Sequence, residues 1–298
     1  MGLLLDDKLV VGISSRALFD LEEENRIYEQ EGLKAYSEYQ IEHENEVLNP
    51  GTAFPLIKAL HKLNADGRYL TEIIVMSRNS ADTSLRIFNS IEHYGLNISR
   101  AALVGGTSVA PYLNAFRTDL FLSANEVDVQ EAINANIASG IICSHSDFPI
   151  NADDDIKQIK IAFDGDAVIF SDESERIYQA EGLQAFAEYE RKNAQSPLPE
   201  GPFAKLLKTI SLIQKGFSKE LVPIRTALVT ARNAPAHERV VRTLRAWDVR
   251  VDEAFFLGGI EKSEVIKAFG ANIFFDDQSV HTDPAAKLVP AARVPIKQ

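Results

Sequence analysis

The sequence predicts an α/β fold: a mostly parallel sheet flanked by helices, internally duplicated, with a degenerate N-terminal copy. Three observations predict it. Short apolar runs alternate with longer amphipathic stretches along the whole chain, and unbroken apolar runs of that length suit strands covered on both faces. Residues 11–40, VGISSRALFDLEEENRIYEQEGLKAYSEYQ, align without a gap on residues 161–190, IAFDGDAVIFSDESERIYQAEGLQAFAEYE. Later segments repeat in the same order, and self-similarity at a long period marks related structural units. The boundary is expected in the polar stretch from Asn151 to Asp155. That gives a degenerate half at residues 1–152 and a second half at 153–298.

The elements follow from these runs. In the first half, Leu9-Val10-Val11-Gly12-Ile13, Ile73-Ile74-Val75-Met76, Ala102-Leu103-Val104 and Leu120-Phe121-Leu122 read as buried strands. In the second, Ile159-Lys160-Ile161-Ala162-Phe163, Ala227-Leu228-Val229, Ala254-Phe255-Phe256-Leu257 and Ile273-Phe274-Phe275 take the same places. Helical periods lie between them, such as Ile87 and Ile91 before Gly95, and Val240, Val241, Leu244 and Trp247 before Asp248. Strand and helix in alternation imply parallel pairing through crossovers. Residues 193–202, with Pro197, Pro199, Gly201 and Pro202, read as a loop between two helices.

Composition bounds the function. The net charge of −12 argues against nucleic acid polymers and anionic membrane surfaces, which reward clustered Lys and Arg. It leaves room for a small phosphorylated substrate, because a bound cation inverts the local field. The single cysteine, Cys143, permits no internal disulfide. With His145 it could suggest a metal or thiol site, but a buried small residue at the end of the strand Gly140-Ile141-Ile142 is the simpler account. The N-terminal stretch has no basic leader and no segment is apolar enough to span a bilayer, so a cytoplasmic protein is expected.

In the second half, polar residues follow the strands, at the edge where open α/β sheets bind ligands. Asp164-Gly165-Asp166 follows the first strand, Thr230 ends the next, Lys262 follows the Gly258-Gly259 turn, and Asp276-Asp277 closes the last. Each feature alone has a structural explanation: Asp-Gly is a common turn, paired Asp a helix cap, Thr a core residue, Lys a surface one. Four in this order at strand ends make a site. Clustered carboxylates repel unless a hard cation such as Mg²⁺ lies among them. A carboxylate can attack phosphorus, a second can move a proton, and Thr and Lys can hold phosphoryl oxygens.

This order resembles the haloacid dehalogenase superfamily of phosphohydrolases, whose pattern is Asp-x-Asp, then Ser or Thr, then Lys, then paired acids. The strings FDGDAVIFSDESERI, LVTARNA and IFFDDQ, with SSRALF, EHENEVLNPGTAFPLIKAL and FNSIEHYGL in the first half, resemble the cytosolic 5′-nucleotidase type I family from about Leu9 to the end. The resemblance implies a haloacid dehalogenase-like Rossmannoid sheet and a Mg²⁺-dependent phosphatase of nucleoside 5′-monophosphates working through an aspartyl-phosphate. It implies Asp164 as nucleophile and Asp166 as general acid and base, with Thr230 and Lys262 on the phosphoryl group. It also implies a metal shell from Asp164, Asp276 and the backbone carbonyl of Asp166, with Asp277 ligating through water or steadying its neighbour.

Arg232, two residues after Thr230, is expected to contact substrate or the acids, with an ordinary salt bridge to Asp or Glu as the plain alternative. Phe170 and Tyr178 are candidates for base stacking or for the core, and residues 171–184 for a lid or pocket wall. In the first half the matching positions are Ser14, Arg16, Met76, Val109, Ser123 and Ala124, so the same metal site cannot form there. That half is a packing partner, a nucleoside or effector site using Arg16 and Arg78, or an oligomerisation surface; Arg16 is the residue singled out for substrate or effector binding. A homo-oligomer is an expectation on general grounds. Two alternatives stand beside the nucleotidase: a phosphatase of another metabolite such as a sugar phosphate, and a non-catalytic nucleotide-binding regulator.

Overall fold

The computed structural model describes residues 5, 8–65, 67–143, 150–153 and 155–298. The chain divides into two compact units, Met1–Ile137 with Pro149–Ile156, and Ala138–Phe148 with Lys157–Gln298. Where the sequence places one junction at Asn151–Asp155, the strand Ala138–Ile142 groups with the second unit. His145 lies outside the described residues.

The first unit runs β1 (Leu9–Ile13), α1 (Ser15–Leu18), α2 (Glu22–Glu42), α3 (Phe54–Lys62), β2 (Thr71–Ser77), α4 (Leu85–His93), β3 (Arg100–Leu103), α5 (Ala110–Ala115), β4 (Leu120–Ser123) and α6 (Glu126–Asn134). Its strands lie in the order β3-β2-β1-β4, all parallel. Every residue of β1 and β4 is buried, as expected for strands covered on both faces. Local chemistry sets the helix starts. Ser14 accepts a hydrogen bond from Ala17 N at 3.3 Å, and Asn125 one from Asp128 N at 3.0 Å. The long α2 is broken at Gly32, whose φ of 87° and ψ of −179° suit glycine alone.

The second unit holds β5 (Ala138–Ile142), β6 (Ile159–Phe163), a tight turn at Gly165–Ile169, α7 (Glu173–Lys192), α8 (Ala204–Lys215), β7 (Ile224–Thr230), α9 (His237–Ala246), β8 (Glu253–Phe256), α10 (Ser263–Phe269), β9 (Ile273–Asp276), α11 (Ser279–Ala286) and β10 (Ala291–Arg293). Its strand order is β5-β10-β9-β6-β7-β8. All neighbours with a described register are parallel except β5 and β10. Within this sheet β8-β7-β6-β9 repeats the order of the first unit, and β10 is a strand the apolar pattern does not announce. The core is aromatic: Phe163 stacks on Phe275 at 5.6 Å, and Phe203 meets Phe275 at 4.8 Å. Cys143 packs against the neighbouring cluster around Phe274 and Ala291 but is only partly buried, short of the full burial expected of it.

Both units bury an arginine beneath the long helix, and each neutralises it differently. In the first, Arg86 donates to Glu24 at 2.5 Å and lies over the Tyr39 ring. In the second, Arg239 donates to Glu190 at 3.1 Å and lies over the Tyr189 ring. Glu24 opens α2, whereas Glu190 lies near the end of α7. Among the described residues, no helix is long and apolar enough to cross a membrane.

Candidate active site

The site is built where β6, β7 and β9 end. Asp164 directly follows β6, and its backbone N–H donates to Phe275 O at 2.8 Å, which ties the β6 exit to β9. Asp276 is the last residue of β9 and Asp277 the next. Carboxylate oxygens of Asp164, Asp276 and Asp277 lie within 4.8 Å of one another. Thr230 is the last residue of β7, and the turn after β6 passes close over it: a Cβ on Gly165 would lie 3.3 Å from Thr230 Oγ1. Lys262 stands at the N-terminus of α10, behind the turn at Gly258 and Gly259, whose φ values of 59° and 91° favour glycine.

Lys262 is buried, not the surface lysine that its polar neighbours in sequence suggest. Its ammonium donates to Asp164 Oδ1 at 2.7 Å and to Asp276 Oδ2 at 2.6 Å. Burial works against the ammonium, but the two carboxylates outweigh it and hold its pKa above the usual lysine value. One cation is too little for three acids. Burial, then Asp276 and Asp166, push Asp164 up to about 7 against the pull of Lys262. Burial, then Asp164 and Asp276, push Asp277 up to about 8. Burial also raises Asp276. A pocket of repelling oxygen donors with one ammonium is chemically suited to a hard divalent cation.

Asp166 is placed differently. Its carboxylate is gripped by Arg232, which donates from Nε at 2.8 Å and from Nη2 at 2.7 Å. The third nitrogen, Nη1, donates to Glu190 at 2.7 Å, and Glu190 also accepts from Ser174 Oγ at 2.7 Å and from Arg239. Of the contacts the sequence offers Arg232, the structure shows those to the acids, with the guanidinium buried. Two nearby acids overcome its desolvation and raise its pKa. The sequence reading passed over Glu190. The signal was present: in the aligned repeat its counterpart is Gln40, a change of charge at a position buried in both units.

The aromatic candidates separate. Phe170 is wholly buried and tilts against Trp247 at 5.6 Å, whereas Tyr178 is half-exposed on α7 with its edge toward Phe186. Residues 173–184 of the expected lid are helical, broken at Gly182 with φ 82°. In the first unit, Met76, Val109 and Ser123 are buried where Thr230, Lys262 and Asp276 stand in the second, and Arg16 faces Glu22 at 3.6 Å.

The chain matches the 5′-nucleotidase family over residues 1–298. It is 41% identical over 292 residues to human (Homo sapiens) cytosolic 5′-nucleotidase 1B, an alignment covering 94% of this chain and 47% of that protein. The chain therefore spans about half the length of that curated relative. A histidinol dehydrogenase from Elizabethkingia anophelis superposes with a TM-score of 0.22 at 10% identity, over 81% of this chain and 49% of that one, from which nothing follows. On its match along the whole sequence, the chain belongs to the 5′-nucleotidase family.

Proposed function

We propose that this chain hydrolyses nucleoside 5′-monophosphates to nucleoside and phosphate, with Asp164 as nucleophile. The observation that carries the reading is the joint placement of Asp164, Asp276, Asp277 and Lys262 at one strand edge, with Asp166 beside them in the grip of Arg232. Family membership supplies the substrate class, and the name of the human relative agrees with a cytoplasmic protein.

The chemistry follows from what each group can do. An Asp164 oxygen forms a bond to phosphorus as the bond from phosphorus to O5′ breaks, and Asp166 gives O5′ its proton. Asp166 then takes a proton from water, whose oxygen attacks phosphorus and frees Asp164. Lys262 and the Thr230 hydroxyl hold the phosphoryl oxygens as negative charge builds on them. Arg232 positions Asp166; for proton transfer, one of the two Asp166 oxygens must be released from it. Mg²⁺ would be held by Asp164, Asp276 and Asp277, with the Asp166 carbonyl, and would neutralise acid and phosphate charge so that the anion can approach.

We also infer that the two units are copies of one haloacid dehalogenase-like ancestor, the first having lost its acids. Shared strand order, the breaks at Gly32 and Gly182, and the matching bridges Phe19 to Pro50 and Phe170 to Glu200 support this.

The experiment is phosphate release from AMP, IMP, GMP, CMP, UMP, their deoxy forms and sugar phosphates, with Mg²⁺ and with EDTA. Preference for nucleoside monophosphates, lost in EDTA and in Asp164→Asn, is the expected result. Equal turnover of sugar phosphates would remove the nucleotide assignment, and release unchanged in Asp164→Asn would remove the mechanism.

A further inference from the structure

The first unit lacks the acids of the candidate active site, yet it contains a cavity of about 410 Å³ at the carboxyl ends of β1, β2 and β4. Ser14, Ser77 and Ser123 line it where those strands end. One wall comes from α2, through Glu24, Tyr28 and Tyr36 on the two sides of the Gly32 break. A volume of that size is ordinary for a small-molecule site.

Its charges are not all balanced by each other. Glu24 is committed to Arg86, and Asp128 accepts from Arg78 Nε at 2.6 Å. Arg78 also has Glu131 at 3.6 Å. Arg16 is different. Its nearest described carboxylate, Glu22, is itself largely exposed and lies 3.6 Å away, beyond a good hydrogen bond. Meanwhile Arg16 Nε is buried and has no hydrogen-bond partner. Asn79 lies beside the Tyr36 hydroxyl, but its Nδ2 likewise makes no hydrogen bond of normal geometry. Buried donors without acceptors are costly in a folded protein, and a ligand bringing oxygen acceptors removes that cost. Arg16 and Asn79 both line this hydroxyl-lined space, so a modest side-chain rearrangement brings their donors to a ligand there.

We propose that this cavity binds a nucleoside monophosphate and leaves it intact. Arg16 takes the phosphate, with the Asn79 amide and the serine hydroxyls completing its hydrogen bonds. Tyr28, half-exposed and edge-on to Tyr36 at 6.0 Å, offers a ring face to the base. The ester survives because Ser14 and Arg16 stand where a nucleophile and a proton donor would be needed. An arginine at this strand end also supplies permanently the positive charge that the second unit would draw from a metal, so binding here needs no cation. The proposal does not rest on hydrolysis by the second unit.

The test is calorimetric titration of the full chain with AMP, adenosine and inorganic phosphate in EDTA. Saturable AMP binding is expected, competed by inorganic phosphate and much weaker for adenosine. Arg16→Ala should weaken it about tenfold or more, and Arg16→Lys less, as loss of a charged hydrogen-bond donor predicts. Asp276→Asn, a lesion in the second unit, should leave it unchanged. Absence of saturable binding in EDTA overturns the proposal, as does binding indifferent to Arg16→Ala or abolished by Asp276→Asn. Loss of hydrolysis with this binding retained would instead count against the reading of the second unit.

Discussion

Two salt-bridged groups of the second unit give contrary predictions. Asp164 is destabilising when ionised without a bound metal cation, because burial and the neighbouring acids outweigh Lys262 and push its pKa to about 7. Its folded value lies above the unfolded one, so the protonated form favours folding, and that contribution fades as pH rises from about 4 through 7. In EDTA at pH 8, Asp164→Asn should therefore melt above the wild type, with the gap closing toward pH 4; a lower melting point at pH 8 would contradict this. The same substitution should cost about a thousandfold or more in kcat, as expected for loss of the proposed nucleophile. Arg232 behaves in the opposite sense. Arg232→Met strips part-buried Asp166 of its guanidinium and leaves buried Glu190 with Ser174 and Arg239 alone, and should cost about 3 kcal/mol in chemical denaturation. Arg232→Lys keeps a charge but cannot form the two-pronged contact with Asp166, so kcat should fall with little change in KM.

The repeated helix shows what can be read from a sequence. Glu31-Gly32-Leu33 and Glu181-Gly182-Leu183 stand out in the alignment, and both glycines adopt a backbone that other residues resist. A Cβ at Gly182 meets nothing within 4 Å, so Gly182→Ala isolates backbone strain and should cost about 1–3 kcal/mol. Gly201 is the steric counterpart: a Cβ there would lie 2.6 Å from Val168 O, and Gly201→Ala should destabilise through that clash, read as a lower denaturation midpoint. The main strands were legible because strands buried on both faces need unbroken apolar runs. The acids were legible because the strand ends place them. β10 was not: three residues, Ala-Ala-Arg, are made a strand by pairing with β5 and β9, and nothing local announces that. Glu190 was hidden for a related reason, since its partner Arg232 is 42 residues away and only the fold joins them. The burial of Lys262 depends on Asp164, 98 residues earlier.

For the whole protein, a divalent cation held by the proposed acidic site would couple folding to pH. Asp164 and Asp277, at about 7 and 8, must lose protons before a cation can use them fully. Stabilisation by Mg²⁺ should thus be small at pH 6 and grow through pH 8.5, reaching about 2.7 kcal/mol at a hundred times the dissociation constant. Melting curves with and without EDTA across that range check this; a Mg²⁺ shift independent of pH would contradict it. The buried arginines carry a different consequence. Arg86 takes its hydrogen-bonded counter-charge from the start of α2 and Arg239 from near the end of α7, with Glu173 a longer 3.9 Å away, although the helices share most of their pattern. A graft of the start of α2 onto α7 would put an acid at Ser174 in place of the hydroxyl that donates to Glu190, and a graft of the end of α2 would put Gln40 in place of Glu190 and leave Arg239 only Glu173 at 3.9 Å. The two long helices have become incompatible spare parts, and exchange between them succeeds only when both positions travel together.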